Sequence, residues 1–129
     1  MIVVDTSVWI AFFRGHPDKV AAGLDHLIEA DDVALAVPVR IEILGGARSV
    51  EIPRLQRLLD ALPCWAPTGE TWTRIESWLA VASRRGQRFG MGDLLVAAIA
   101  AEHDAPVWSL DRDFERMARL GFIELLART

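Results

Sequence analysis

Three branched apolar residues, Ile2-Val3-Val4, stop abruptly at Asp5-Thr6-Ser7. A short apolar run with no polar alternation reads as a strand buried on both faces, and a carboxylate followed by two hydroxyls reads as a helix start. A strand covered on both sides requires helices in two layers, so this stretch already favours an α/β arrangement over a bundle or a sandwich. In an open α/β sheet the crevice beyond the carboxyl ends of the strands is the usual ligand site, which puts Asp5 where chemistry is expected.

The rest of the 129 residues repeats the alternation. Val8 to Phe13 suits a short helix ended by Arg14-Gly15, and His16-Pro17-Asp18 is a turn. Val20, Leu24, Leu27 and Ile28 fall at helical spacing, Val33 to Val37 reads as a second strand, and Val39 to Leu44 as a short helix closed by Gly45-Gly46. Leu55, Leu58, Leu59 and Leu62 mark another amphipathic helix, and Pro63 to Pro67 a brief third strand. Thr68 to Thr71 opens a long helix with Ile75, Trp78, Leu79 and Ala82 on one face. Met91-Gly92-Asp93 starts a helix, Leu94 to Ala101, that is apolar on nearly every side and therefore central. Pro106 to Leu110 is the fourth strand and Gly121 to Leu126 the fifth. Alternating strands and helices predict one Rossmann-like, three-layer α/β/α domain over residues 1–129, with a mostly parallel five-stranded sheet and right-handed crossovers.

Composition narrows the function classes. Apolar residues make up 52% of the chain, yet no apolar run reaches the roughly 18 residues of a membrane span, so the surplus points to an interface instead. Cys64 is the single cysteine, and Met1 to Val4 lead straight into Asp5 without a basic region, which argues against a secreted protein; a cytoplasmic one is expected. The net charge of −4 opposes nucleic-acid binding at first sight. Thirteen of the fourteen basic residues are nevertheless arginines, suited to bidentate phosphate contacts, and a few acids gathered at one cation site would account for the excess.

Four acids stand at element junctions or on a short helix among apolar neighbours: Asp5, Glu42, Asp93 and Asp111. Taken singly, the three aspartates are explained as helix caps, whereas Glu42 in mid-helix has no such role. Asp5 and Asp111 both follow parallel strands and should meet at one sheet edge. At an effective dielectric near 20, each close carboxylate pair costs about 4 kcal/mol at roughly 4 Å, so such acids need a cation. With oxygen ligands only, the choice falls on Mg²⁺ or Mn²⁺, ions that bind phosphates and activate water.

With D-T-S-V-W-I at the start, R-I-E-I-L-G-G-A-R, D-L-L-V-A-A-I-A and a final L-D-R-D-F, the chain resembles the PIN domain, specifically the ribonuclease toxins of VapBC toxin–antitoxin pairs. The resemblance spans nearly the whole chain. It implies that Asp5, Glu42, Asp93 and Asp111 hold the metal, with Asp113 as a more variable fifth acid and Thr6, Ser7 and Ser109 as supporting hydroxyls. It also implies an endoribonuclease that leaves a 3′-hydroxyl and a 5′-phosphate, silenced by a VapB-like antitoxin, homodimeric and assembling further with that partner. Ser109 stands where a threonine is usual, and Ala36-Val37 precede Pro38 where the family often has a hydroxyl cap.

Arg84, Arg85, Arg88 and Arg112 are candidates for the RNA backbone, set against the plain alternative that cations near a helix C-terminus satisfy its dipole. Phe12, Phe13 and the Leu55 helix are candidates for a dimer or antitoxin surface, and the three histidines show no ligand spacing. Two other functions compete. An aspartyl-phosphate phosphatase or receiver also uses a strand-end Asp, but Ser7 occupies the place of the phosphatase's second Asp, and Lys19 is poorly placed for a receiver. A catalytically silent PIN-like binding module is opposed by the retention of all four acids.

Overall fold

The computed structural model describes residues 1–126. Strand β1 (Ile2–Val4) leads into α1 (Thr6–Arg14) and α2 (Asp18–Glu29). Strand β2 (Val33–Ala36) passes directly into α3 (Val37–Gly45), where Pro38 lies in the first turn and its missing N–H removes no helical bond. A 3₁₀ turn (Ser49–Glu51) precedes α4 (Ile52–Asp60), followed by β3 (Cys64–Trp65), α5 (Gly69–Arg84), α6 (Met91–Glu102), β4 (Val107–Trp108) and α7 (Arg112–Arg119).

The strands are all parallel, in the order β3-β2-β1-β4. Ile2 pairs with Val33, Val4 with Trp108 and Ala36 with Trp65, so β1 and β2 are the interior strands. Every residue of β1 and β2 is buried. Because successive side chains point to opposite faces, that pattern requires cover on both sides, and the helices supply it. α6 packs against β1 and β2 with Leu94 and Val96 to Ala100 buried, its alanines allowing close approach to the sheet. α2 approaches β4 through Gly23, where a Cβ would stand 3.2 Å from the Trp108 ring.

Among the described residues the sheet has four strands, not the five expected. The segment after α7 makes one parallel bridge, Val107 to Leu125, with the Val107 N–H donating to the Glu124 carbonyl (2.9 Å) and the Leu126 N–H to the Val107 carbonyl (2.8 Å). Two causes limit it. β4 offers only two residues to pair with, and the Phe122 N–H is taken by the Met117 carbonyl at the end of α7. Phe122 and Ile123 then turn inward as core residues, leaving Leu125 half exposed.

Candidate metal centre

Asp5 occupies the carboxyl end of β1 and is 5% exposed. Its Oδ2 accepts from Ser7 Oγ (2.8 Å) and from Ser109 Oγ (2.8 Å). Each serine hydroxyl has spent its one proton on Asp5, so each can only accept elsewhere: Ser7 Oγ from the Leu110 N–H (3.0 Å) and Ser109 Oγ from the Asp111 N–H (2.9 Å). The two hydroxyls, 3.3 Å apart, tie the end of β1 to the end of β4 and fix the Asp5 carboxylate. Oδ1 takes part in none of these bonds. Capping is a minor duty for Asp5, since its bond from the Ser7 N–H is long at 3.4 Å.

Asp111 caps α7, its Oδ1 accepting the Asp113 N–H at 2.9 Å, and Asp113 in the first turn receives a hydrogen bond from Arg116 (3.0 Å). Asp93 is not the cap that its position suggests. Gly90 caps α6, and Asp93 lies inside the first turn, half-buried, where the helix dipole favours a carboxylate. Asp93, Asp111 and Asp113 each present an oxygen within 4.8 Å of the others. Asp5 and Glu42 lie outside that trio but close enough to act on it electrostatically.

The balance is visible at Asp93, whose pKa is pushed up to about 6 by burial first and then by the charges of Asp5, Asp111, Asp113 and Glu42. Helix dipoles alone therefore do not neutralise the site. Glu42, expected to be hemmed in by Ile41 and Ile43, is solvent-exposed on α3, because Ile41 also faces outward and only Ile43 enters the core. Its Oε1 lies 3.9 Å from where a Cβ at Gly92 would stand, which places it beside the first turn of α6. Partial burial and then Asp5 raise its pKa, while the Thr6 hydroxyl lowers it. No bond of ordinary length joins these two, for Thr6 Oγ1 is buried without a partner.

Three carboxylates, Asp93, Asp111 and Asp113, thus meet at the starts of α6 and α7, with Asp5 and Glu42 near enough for their charges to act on Asp93. Such an all-oxygen donor set fits a hard divalent cation, and the excess of negative charge calls for one. The sequence names all five acids as candidates with Asp113 the less certain, and the structure brings Asp113 together with Asp93 and Asp111 while leaving Asp5 and Glu42 outside that group. Arg116, at i, i+3 from Asp113, is not among the sequence candidates.

The arginine candidates stand at the end of α5, in the loop before α6 and in the first turn of α7. Arg84 ends α5, Arg85 caps it, and both are exposed, as are Arg88 in the following loop and Arg112 in the first turn of α7. Phe12, Phe13, Leu55 and Leu58 line a groove of about 580 Å³ between α1, α3 and α4, with Glu42 on its wall. Trp9, Trp78 and Trp108 are core residues, and Trp65 stacks on His103 with centroids 3.8 Å apart.

Residues 2–120 match the family described as PIN domain. The chain belongs to the PIN-domain family. Among relatives of this PIN domain, ribonuclease VapC11 of Mycobacterium tuberculosis is 32% identical over 125 residues, covering 93% of each chain. Among solved structures, VapBC2 from Rickettsia felis bound to a DNA fragment from its promoter superposes with a TM-score of 0.76 at 20% identity, covering 98% of each chain. VapBC-1 from nontypeable Haemophilus influenzae does so with a TM-score of 0.77 at 18% identity, over 98% of this PIN domain and 97% of that chain. At these identities the structures attest the fold.

Proposed function

We propose that this PIN domain is a divalent-metal-dependent endoribonuclease, the toxin of a toxin–antitoxin pair. The observation that carries the reading is the meeting of Asp93, Asp111 and Asp113 within 4.8 Å beside the locked carboxylate of Asp5, in a chain whose 32%-identical relatives are named ribonucleases. Asp5, Glu42, Asp93 and Asp111, with Asp113, would hold Mg²⁺ or Mn²⁺. Bound there, the ion supplies an acidified water as nucleophile and positive charge for the phosphate oxygens. Ser7 and Ser109 hold Asp5 Oδ2, which fixes the carboxylate and leaves Oδ1 out of these bonds. Glu42, exposed and with a raised pKa, is placed to exchange a proton with a water at the open side of the site. Arg84, Arg85, Arg88 and Arg112 are the phosphate contacts for an RNA strand, which would leave with a 3′-hydroxyl and a 5′-phosphate.

The partner of this reading is a VapB-like antitoxin, for which the groove lined by Phe12, Phe13, Leu55 and Leu58, with Arg14, Glu51 and Arg54 at its polar half, is the available surface. The toxin acts in the cytoplasm as a homodimer. The relatives' names and the VapBC complexes among the structural neighbours support this assignment.

The test is cleavage of RNA by antitoxin-free protein with added Mn²⁺, together with growth inhibition on expression. Asp5→Asn should abolish both while leaving the circular dichroism spectrum unchanged, and excess EDTA should silence the wild type. Full cleavage by the variant, or by the wild type in EDTA, overturns the reading.

A further inference from the structure

We propose that Arg116 is a positioning residue of the metal centre, setting the separation of Asp93 from Asp113; the proposal rests on the metal-dependent reading above. Arg116 lies half-buried on α7, and its guanidinium serves two elements at once. Toward its own helix, one terminal nitrogen donates to Asp113 Oδ1 (3.0 Å). Toward the loop that follows α5, the same nitrogen donates to the Arg88 carbonyl (3.0 Å) and the other to Gln87 Oε1 (3.0 Å). The guanidinium carbon stands 4.3 Å from the centroid of the Phe89 ring. Phe89 in turn meets Phe122 edge-on at 6.4 Å, and Phe122 stacks on Trp78 of α5 at 4.6 Å.

This loop is what delivers Asp93. Gly90 is the cap of α6, and Asp93 follows three residues later, so the position of residues 87–89 sets where the first turn of α6 begins. The acids to be spaced therefore stand on two segments, the start of α6 and the start of α7. Arg116 clamps the loop before one to the first turn of the other.

Exposed i, i+3 ion pairs such as those of Arg48 and Arg54 with Glu51 contribute little to stability. Arg116 differs in engaging three oxygens and a ring, so its planar fork is held in a single geometry. The sign of its effect on a cation has two parts. Its positive charge repels a dication, whereas its hydrogen bonds hold Asp113 and Asp93 at ligand spacing and leave Asp113 Oδ2 free. Arg116→Lys separates them, because lysine keeps the charge and cannot span Gln87, Arg88 and Asp113 together.

Calorimetric titration of Mn²⁺ into ion-free protein near neutral pH tests this. Arg116→Lys should bind Mn²⁺ about tenfold more weakly than the wild type, the usual lower range for losing a group that orients a ligand. The Mn²⁺ concentration for half-maximal RNA cleavage should rise in parallel, with kcat at saturating Mn²⁺ and KM for RNA little changed. A purely structural role would lower the melting temperature and leave Mn²⁺ affinity of the folded protein unmoved. Gln87→Ala keeps every charge and loosens only the loop side; it should shift affinity in the same direction by a smaller factor, and it decides the matter if the lysine variant does not fold. Wild-type affinity in folded Arg116→Lys, or in Gln87→Ala if it must stand alone, overturns the inference. A wild-type protein that binds no Mn²⁺ overturns the metal reading and this inference with it.

Discussion

Asp93 is where burial and charge conflict most sharply. Its pKa of about 6, against an ordinary 3.8, means that the ion-free folded protein holds a proton that the unfolded chain has already released at intermediate pH. Stability from this group is therefore fully present below about pH 4 and lost as pH rises through about 6. Glu42, also raised, adds in the same direction. Replacing Asp93 by Asn removes the penalty. In EDTA, Asp93→Asn should be more stable than the wild type above pH 7, by about 1–2 kcal/mol after allowance for solvent screening, and the advantage should vanish toward pH 4. Paired thermal melts across that range check it, and an Asn variant less stable than wild type at high pH would contradict the assignment of charge repulsion. Mn²⁺ should reverse the order, stabilising only the wild type to a large degree, since a ligand bound by the folded state alone raises stability by mass action. At this scale the sequence was informative about residue type, because an acid stranded between apolar neighbours is conspicuous. It carried no information on the distances between these acids. Asp113 enters the tight trio because the first turn of α7 folds back over Asp111, and Asp5 stands apart because two serines restrain it, relations that depend on angles between elements.

Among the elements, legibility followed length. α6 reads from its alanine-rich apolar run, and the buried strands β1 and β2 from their lack of alternation, because each pattern has a single packing solution. The fifth strand failed since Phe122-Ile123 and Leu125-Leu126, interrupted by Glu124, were compatible with a strand or with two core side chains anchored by a helix end, and the hydrogen bond from Phe122 to Met117 chose the latter. Leu79 is expected on the buried face of α5 but is 44% exposed: Ile75, Trp78 and Ala82 already fill the buried stripe of this helix, which packs against α6. The start of α5, by contrast, was announced by Thr68-Gly69-Glu70-Thr71. Thr71 is fully buried, accepts the Thr68 N–H at 2.8 Å and donates to Glu102 of α6, so one hydroxyl caps α5 and joins it to α6. Thr71→Val keeps the volume and deletes the bonds, leaving the Thr68 N–H without its acceptor. It should cost about 1–2 kcal/mol of unfolding free energy, read from denaturant titration, as losses of caps and buried hydrogen bonds do. Mn²⁺ affinity should stay at the wild-type value, since this junction lies at the far end of α6 from Asp93.

For the molecule as a whole, the difficulty for the proposed function is that a chain of net charge −4, with five of its eighteen acids at the candidate site, would have to hold a polyanion. A bound cation removes part of the repulsion, and the remainder has to be met by arginines placed beside the acids without neutralising them. Arg84, Arg85 and Arg88 are the proposed candidates, being exposed at the end of α5 and in the loop that Arg116 anchors, just ahead of Asp93 in the chain. Their charge also falls at a helix C-terminus, where it is favourable for reasons unrelated to RNA. The two roles separate by salt. A contact with the helix dipole affects stability and not substrate affinity, whereas phosphate contacts release counterions from the RNA. Replacing all three by Gln should raise KM for RNA about tenfold at low salt and reduce the slope of log affinity against log salt by about two, since each single-strand phosphate contact contributes roughly 0.7. Because none of the three touches the carboxylates, kcat at saturating RNA and Mn²⁺ should remain within about threefold of wild type, as expected when uniform binding is removed. An unchanged salt slope with a lowered melting temperature would assign these arginines to the helix end and overturn their role as phosphate contacts.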